Sequence, residues 1–183
     1  MREDKLIRRI EQGDETAAEE LVEKYYPEIL KYCIWHAPNR TLAEDATQET
    51  FLKAVRYMNR YVHRGKFRAF LYKIAANTCV DMWRKQGTTK ELPEGIVIEQ
   101  IQKEMSYEES GFDEIQDLLN LQQMIRILPE ELREIVILRF GHDLTIREIA
   151  NITGIPFRTV QSRIRSALKK LKMEYGKEET DER

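Results

Sequence analysis

The segment Leu144–Lys172, LTIREIANITGIPFRTVQSRIRSALKKLK, constrains its own fold more tightly than any other part of the chain. Thr145 and Glu148 have the S/T-x-x-E spacing of a capping box, which satisfies exposed backbone donors and starts a helix. Ile146, Ile149, Ala150 and Ile152 supply its apolar positions. Gly154 permits a sharp turn, and Pro156 stands where a helix can begin but not continue. The next helix sets a stripe of Val160, Ile164, Ala167, Leu168 and Leu171 against Arg158, Thr159, Gln161, Ser162, Arg163 and Arg165. This is a helix-turn-helix whose second helix carries hydrogen-bonding and cationic side chains at its front, as entry into a major groove requires. A solvated amphipathic surface helix is the plain alternative. It gives no reason for Thr, Gln, Ser and Arg to crowd into the first two turns.

Charge distribution extends that reading. The chain has 183 residues and a net charge of only −2, which taken evenly argues against a polyanionic partner. The charges are blocked instead. Residues 56–90 hold nine Lys/Arg against one acid, Asp81; residues 91–118 hold nine acids against Lys103; residues 157–172 hold six Lys/Arg and no acid. Two basic blocks separated by an acidic one describe two DNA-facing surfaces and a connector that avoids DNA. At 42% hydrophobic and 34% charged, the chain is globular but too polar for one large core. The N-terminal MREDKLIRRIEQGDE has no apolar targeting region, and no apolar run reaches membrane-spanning length, so a cytoplasmic protein is expected. Cys33 and Cys79 fit reduced thiols there. Cys33 and His36 have a ligand-like spacing, but two residues do not make a metal site, and no cofactor is expected.

The hydrophobic periodicity is helical almost throughout, and the expected fold is all-α. A first helix covers Lys5–Gln12 and stops at Gly13. Asp14 caps a second, with Ala17, Ala18, Leu21, Val22 and Tyr25 inward, and Pro27 begins a separate run through Ile29, Leu30, Cys33 and Ile34. After the break at Pro38-Asn39-Arg40, Thr41 and Glu44 form another capping box. The helix they open offers Ala43, Ala46, Phe51, Ala54, Val55 and Met58 for packing. A basic loop, Asn59–Lys66, leads to a helix from Phe67 to Lys85 with Leu71, Ile74, Ala75, Thr78 and Met82 on its buried side. The expected organisation is two small helical domains, 1–87 and 117–175, joined by a flexible acidic linker, 88–116, with a frayed tail, 176–183.

Three segments in order resemble one family, the extracytoplasmic-function (ECF) sigma factors, the smallest class of the RNA polymerase sigma-70 family. AEDATQETFLKA (43–54) is similar to region 2.2, FRAFLYKIAANTCVDMWRK (67–85) to regions 2.3 and 2.4, and Leu128–Leu171 to region 4. The resemblance implies an alternative sigma factor that binds core RNA polymerase, recognises the −35 and −10 promoter elements, and helps melt the latter. Catalysis would belong to the polymerase and none to this chain. Asp45, Gln48 and Glu49 match the D-x-x-Q-E positions that dock on the β′ clamp helices. The basic loop and its helix correspond to the −10 reader. Arg60, Arg64, Lys66, Arg68 and Lys73 supply charge there, and Asn77 matches a position facing the −10 strand. Tyr61, His63, Phe67 and Tyr72 are stacking candidates, although Phe67 and Phe70 also suit a core. Arg158, Thr159, Gln161, Ser162, Arg163 and Arg165 fall in the −35 reader, with Arg163 matching a recurrent backbone-contacting Arg. Phe157 and Arg158 are bulkier than the family pattern.

The implied partners are core polymerase (β′ clamp helices and β flap), promoter DNA and an anti-sigma factor. About 30 flexible linker residues relax to roughly 30 Å between ends but extend to on the order of 100 Å. Two sites more than a DNA turn of about 35 Å apart are then reachable when the linker is held stretched. Its acids suit either a mimic of nucleic acid within the polymerase channel or a plain solubilising tether. The rival reading of the whole chain is a stand-alone operator-binding regulator, which explains residues 144–172 but not the Asp45, Gln48 and Glu49 face. An enzyme is more distant still, since there is no Gly-rich phosphate loop and His36, His63 and His142 lie in no nucleophile arrangement.

Overall fold

A left-handed glycine makes the first corner. Helix α1 (Arg2–Glu11) ends at Gly13, whose φ is +85°. Gly13 N–H donates to Ile10 O at 2.9 Å and Asp14 N–H to Arg9 O at 3.0 Å, the paired bonds of a Schellman ending. Asp14 then caps α2 (Glu15–His36), accepting from Ala17 N at 3.2 Å and from Arg9 Nε at 2.8 Å. The computed structural model describes residues 2–58, 67–85, 121 and 123–175. The expected basic loop Asn59–Lys66, the acidic linker 88–116 and the tail 176–183 lie outside the described residues.

The bond from Arg9, followed by that from the Ala17 amide, holds the Asp14 carboxyl below its ordinary value of 3.8. A carboxyl depressed in the folded state stabilises fully above its unfolded pKa and loses that contribution as pH falls through the folded one. The first unit therefore loses stability as pH drops below about 4. Asp14→Asn keeps a cap acceptor without a titrating proton and flattens that part of the profile, which thermal melts across the acid range measure.

Pro27 does not begin a new helix. It lies inside α2, which runs unbroken for 22 residues. Proline removes one hydrogen bond, to the carbonyl of residue 23, and both residues lie on the exposed side of the helix. The buried stripe of Leu21, Tyr25, Ile29, Tyr32 and Cys33 continues past it without a phase change. A second difference lies at the start of α3 (Arg40–Arg56). Its cap is Asn39, whose side chain accepts from Leu42 N at 2.9 Å, while Glu44 pairs with Arg40 at 2.8 Å instead of boxing with Thr41. Helix α4 spans Phe67–Lys85, as expected.

The chain divides into two compact units near residues 99 and 100, the first holding α1–α4. Aromatic side chains from α2 and α4 fill its core. Tyr32 meets Tyr72 edge-on with centroids 5.4 Å apart, and Tyr25 meets Phe67 at 5.7 Å. Full burial of such rings contributes roughly 1.5–3 kcal/mol each. Buried Thr47 and Thr50 satisfy their hydroxyls within α3, on Ala43 O at 2.7 Å and Ala46 O at 2.6 Å. The Cys33 and Cys79 thiols are buried 3.9 Å apart. The His36 ring turns back to Tyr32 O, with Nδ1 at 2.7 Å.

In the second unit α5 (Glu130–Val136) passes into a wider π turn, Ile137–Gly141. Asp143 follows at φ +51°, and Leu144 N–H donates to Leu138 O at 3.1 Å, which reverses the chain ahead of Thr145. Helices α6 (Ile146–Thr153) and α7 (Phe157–Tyr175) complete the unit. Leu132, Ile135, Leu138, Leu144, Ile149, Val160 and Ile164 form its core.

Candidate nucleic-acid interface

The helix-turn-helix is built as its sequence requires. Thr145 N–H donates to Glu148 Oε2 at 2.8 Å and Glu148 N–H to Thr145 Oγ1 at 3.3 Å, completing the capping box of α6. Gly154 takes the left-handed conformation at φ +71°. Pro156 O receives the N–H groups of Thr159 at 2.8 Å and Val160 at 3.0 Å, so α7 begins at once. Val160, Ile164, Ala167 and Leu171 are buried, whereas Leu168 is exposed and leaves the predicted stripe. At about 100° per residue, Arg158, Ser162, Arg165 and Lys169 share a sector of roughly 60° opposite that core. Arg158, Thr159, Ser162 and Arg165 are exposed and Gln161 is half-buried at the sector's edge. Arg163 lies nearer the core side, its Nη2 3.5 Å from Glu131 Oε2 of α5. The two residues are too far apart in sequence for this contact to be read from spacing.

In the first unit, α3 turns Asp45 and Gln48 outward, exposed, with Glu49 half-exposed beside them. The same ridge continues through Leu52 and Val55, 55% and 50% exposed. Val55 was expected to pack, and Leu52 carried no expectation. The signal was present in the i, i+3, i+4, i+7 spacing of 45, 48, 49 and 52, which marks one helix face.

Helix α4 presents Lys73 and Asn77 to solvent. Two stacking candidates are corrected. Phe67 and Tyr72 have no exposure at all, so neither can stack on a base. Burial keeps the Tyr72 phenol neutral, pushing its pKa well above the ordinary tyrosine value. Arg68, half-exposed, pairs with Glu28 of α2 at 2.7 Å and lies over the Tyr72 ring at 5.8 Å. Arg60, Tyr61, His63, Arg64 and Lys66 lie outside the described residues.

Comparison with known proteins matches both units. The Sigma-70 region 2 family matches residues 21–89, and the Sigma-70, region 4 family matches residues 118–171. The ECF RNA polymerase sigma factor SigW of Bacillus subtilis (strain 168) is 31% identical over 176 residues, 91% of this chain and 94% of the relative. The RNA polymerase sigma-H factor of Pseudomonas aeruginosa is 32% identical over 168 residues, 87% of this chain and 86% of the relative. Among solved structures, CnrH in complex with the cytosolic domain of CnrY has a TM-score of 0.68 at 20% identity, covering 93% of this chain and 95% of that one. The sigma factor RpoE in complex with the anti-sigma factor NepR from Bartonella quintana has a TM-score of 0.63 at 19% identity, covering 85% and 94%. Those two likenesses establish the all-helical fold.

The chain belongs to the sigma-70 family, in its ECF branch. It is an alternative sigma factor that directs promoter-specific transcription. Among the described residues no helix is long and apolar enough to cross a membrane.

Proposed function

We propose that residues 1–87 dock on core polymerase and hold the −10 element, that residues 117–175 read the −35 element, and that 88–116 tethers the two. The observation that carries this division is the placement of an acidic-then-apolar ridge and an acid-free groove-sized face on separate compact units of one chain. Asp45, Gln48 and Glu49, extended by Leu52 and Val55, form the surface for the β′ clamp helices. Lys73 and Asn77 face the −10 strand, together with the loop residues Arg60, Tyr61, His63, Arg64 and Lys66 assigned by family resemblance. Arg158, Thr159, Gln161, Ser162 and Arg165 face the −35 groove, where a good bidentate base contact discriminates by about 1–3 kcal/mol. Phosphate contacts position the helix without specifying sequence.

The chain contributes recognition, and bond formation is the polymerase's, in the cytoplasm where that enzyme works. The β flap is assigned to the second unit. An anti-sigma factor is a further partner: the similar sigma factor RpoE was solved in complex with the anti-sigma factor NepR. Two tethered modules gain by effective concentration only when both engage, so covering either one silences the pair.

Run-off transcription on fragmented genomic DNA with core polymerase tests the reading. New start sites should require this chain and should share sequence at two spaced elements. Arg165→Ala should weaken initiation by about 10-fold or more and relax selection at the upstream element alone. Start sites unchanged by the chain, with duplex DNA shifted in the absence of core, would instead describe an operator-binding regulator.

A further inference from the structure

Lys53 stands between the two working faces of the first unit. From α3 its Nζ lies 3.8 Å from Glu49 Oε1, 3.2 Å from Thr78 Oγ1 and 4.0 Å from Asp81 Oδ2, the last two on α4. Most surface lysines sample many rotamers. This side chain is 25% exposed, and its ammonium donates to a threonine that is wholly buried. The anchor fixes the charge in space.

Asp81 needs that charge. It follows Lys73 and Asn77 at intervals of four, which puts all three on one ridge of α4. It is 58% exposed and is the one acid among nine Lys/Arg in residues 56–90. A bare carboxylate on a ridge that meets nucleic-acid phosphates opposes binding, and the opposition is partly cancelled by a cation held about 4 Å away. Glu49 competes for the same cation from the polymerase-docking ridge.

We propose that Lys53 is a positioning residue that neutralises Asp81 on the promoter-facing ridge, and that polymerase docking at Glu49 releases Lys53 to serve Asp81 alone. This rests on the reading of Lys73 and Asn77 as −10-facing. In the free chain the ammonium is shared between carboxylates on two faces. A polymerase cation that takes Glu49 ends the competition, Asp81 is better compensated, and the strand binds more tightly. Linkage makes the effect reciprocal: a strand that draws Lys53 toward Asp81 leaves Glu49 readier for polymerase. Two modest binding events thereby favour each other.

The test is fluorescence anisotropy of a labelled single-stranded oligonucleotide carrying the −10 sequence of a promoter mapped by run-off, titrated with the full chain and core polymerase. Lys53→Met is expected to weaken binding about fivefold, and Lys53→Arg to bind like wild type. Asp81→Asn added to Lys53→Met should restore binding to within about twofold of Asp81→Asn alone. A lysine that touches phosphate directly, or only holds the fold together, gives a loss that Asp81→Asn does not relieve, and that result overturns the proposal. Wild-type binding by Lys53→Met overturns it as well. Without core, Glu49→Gln should tighten oligonucleotide binding about twofold; no change removes the docking-linked half. A Lys73→Ala/Asn77→Ala variant separates the two levels. If it binds like wild type, the −10 reading of α4 fails; if it weakens while Lys53→Met does not, only the role of Lys53 fails.

Discussion

Asp45→Ala combined with Gln48→Ala should lower the affinity of the chain for core polymerase by about 30-fold or more and remove its promoter-specific transcripts. Both side chains are exposed, so the loss comes from the interface and not from the fold. Leu52→Asp should cost a comparable amount alone. That leucine sits midway along the ridge at 55% exposure, and a carboxylate there is buried unpaired once a partner covers it. Competition for core against the wild-type chain gives the affinities, and unchanged melting temperatures confirm the fold. A double variant that holds core as wild type does would remove α3 from the docking assignment.

The second large effect concerns stability. Phe67→Ala and Tyr72→Ala should each destabilise the first unit by about 3–5 kcal/mol. Against a total of about 5–15 kcal/mol for a domain, either change removes a large share of the stability. Tyr72→Phe keeps the ring against Tyr32 and should cost less than about 1.5 kcal/mol. Urea unfolding measures all three. A base-stacking Phe67 predicts the reverse pattern for Phe67→Ala, intact stability with weakened −10 binding, and that outcome would move the residue out of the core.

What the sequence shows about this chain depends on how far apart the interacting residues lie. The capping box at Thr145 and Glu148, the turn at Gly154 and the stop at Gly13 are set by neighbours within five residues, and each stands where expected. Proline is a common mark of a helix start, yet the apolar stripe of α2 runs through Pro27 in phase, and the phase outweighs the single residue. Asn39 and Thr41 are both competent caps two residues apart, and local pattern does not rank them. Arg68 and Arg163 each have an acidic partner that no local spacing indicates. Their partners, Glu28 and Glu131, are 40 and 32 residues away, and only the folded chain brings them together. Phe67 and Tyr72 carry the same difficulty in another form: an aromatic residue in a basic segment suits a core or a base equally.

The buried sulfurs have a practical consequence. Cys33 and Cys79 are the only two cysteines of the chain, and both lie in the interior of the first unit. Their alkylation therefore requires that unit to open, so thiol reactivity acts as a clock for its local unfolding. The native surface of the described residues is correspondingly blank toward maleimides. A single cysteine introduced on the outer side of α7 would label far faster than either native one, giving a distance reporter on that helix without first removing the natural thiols.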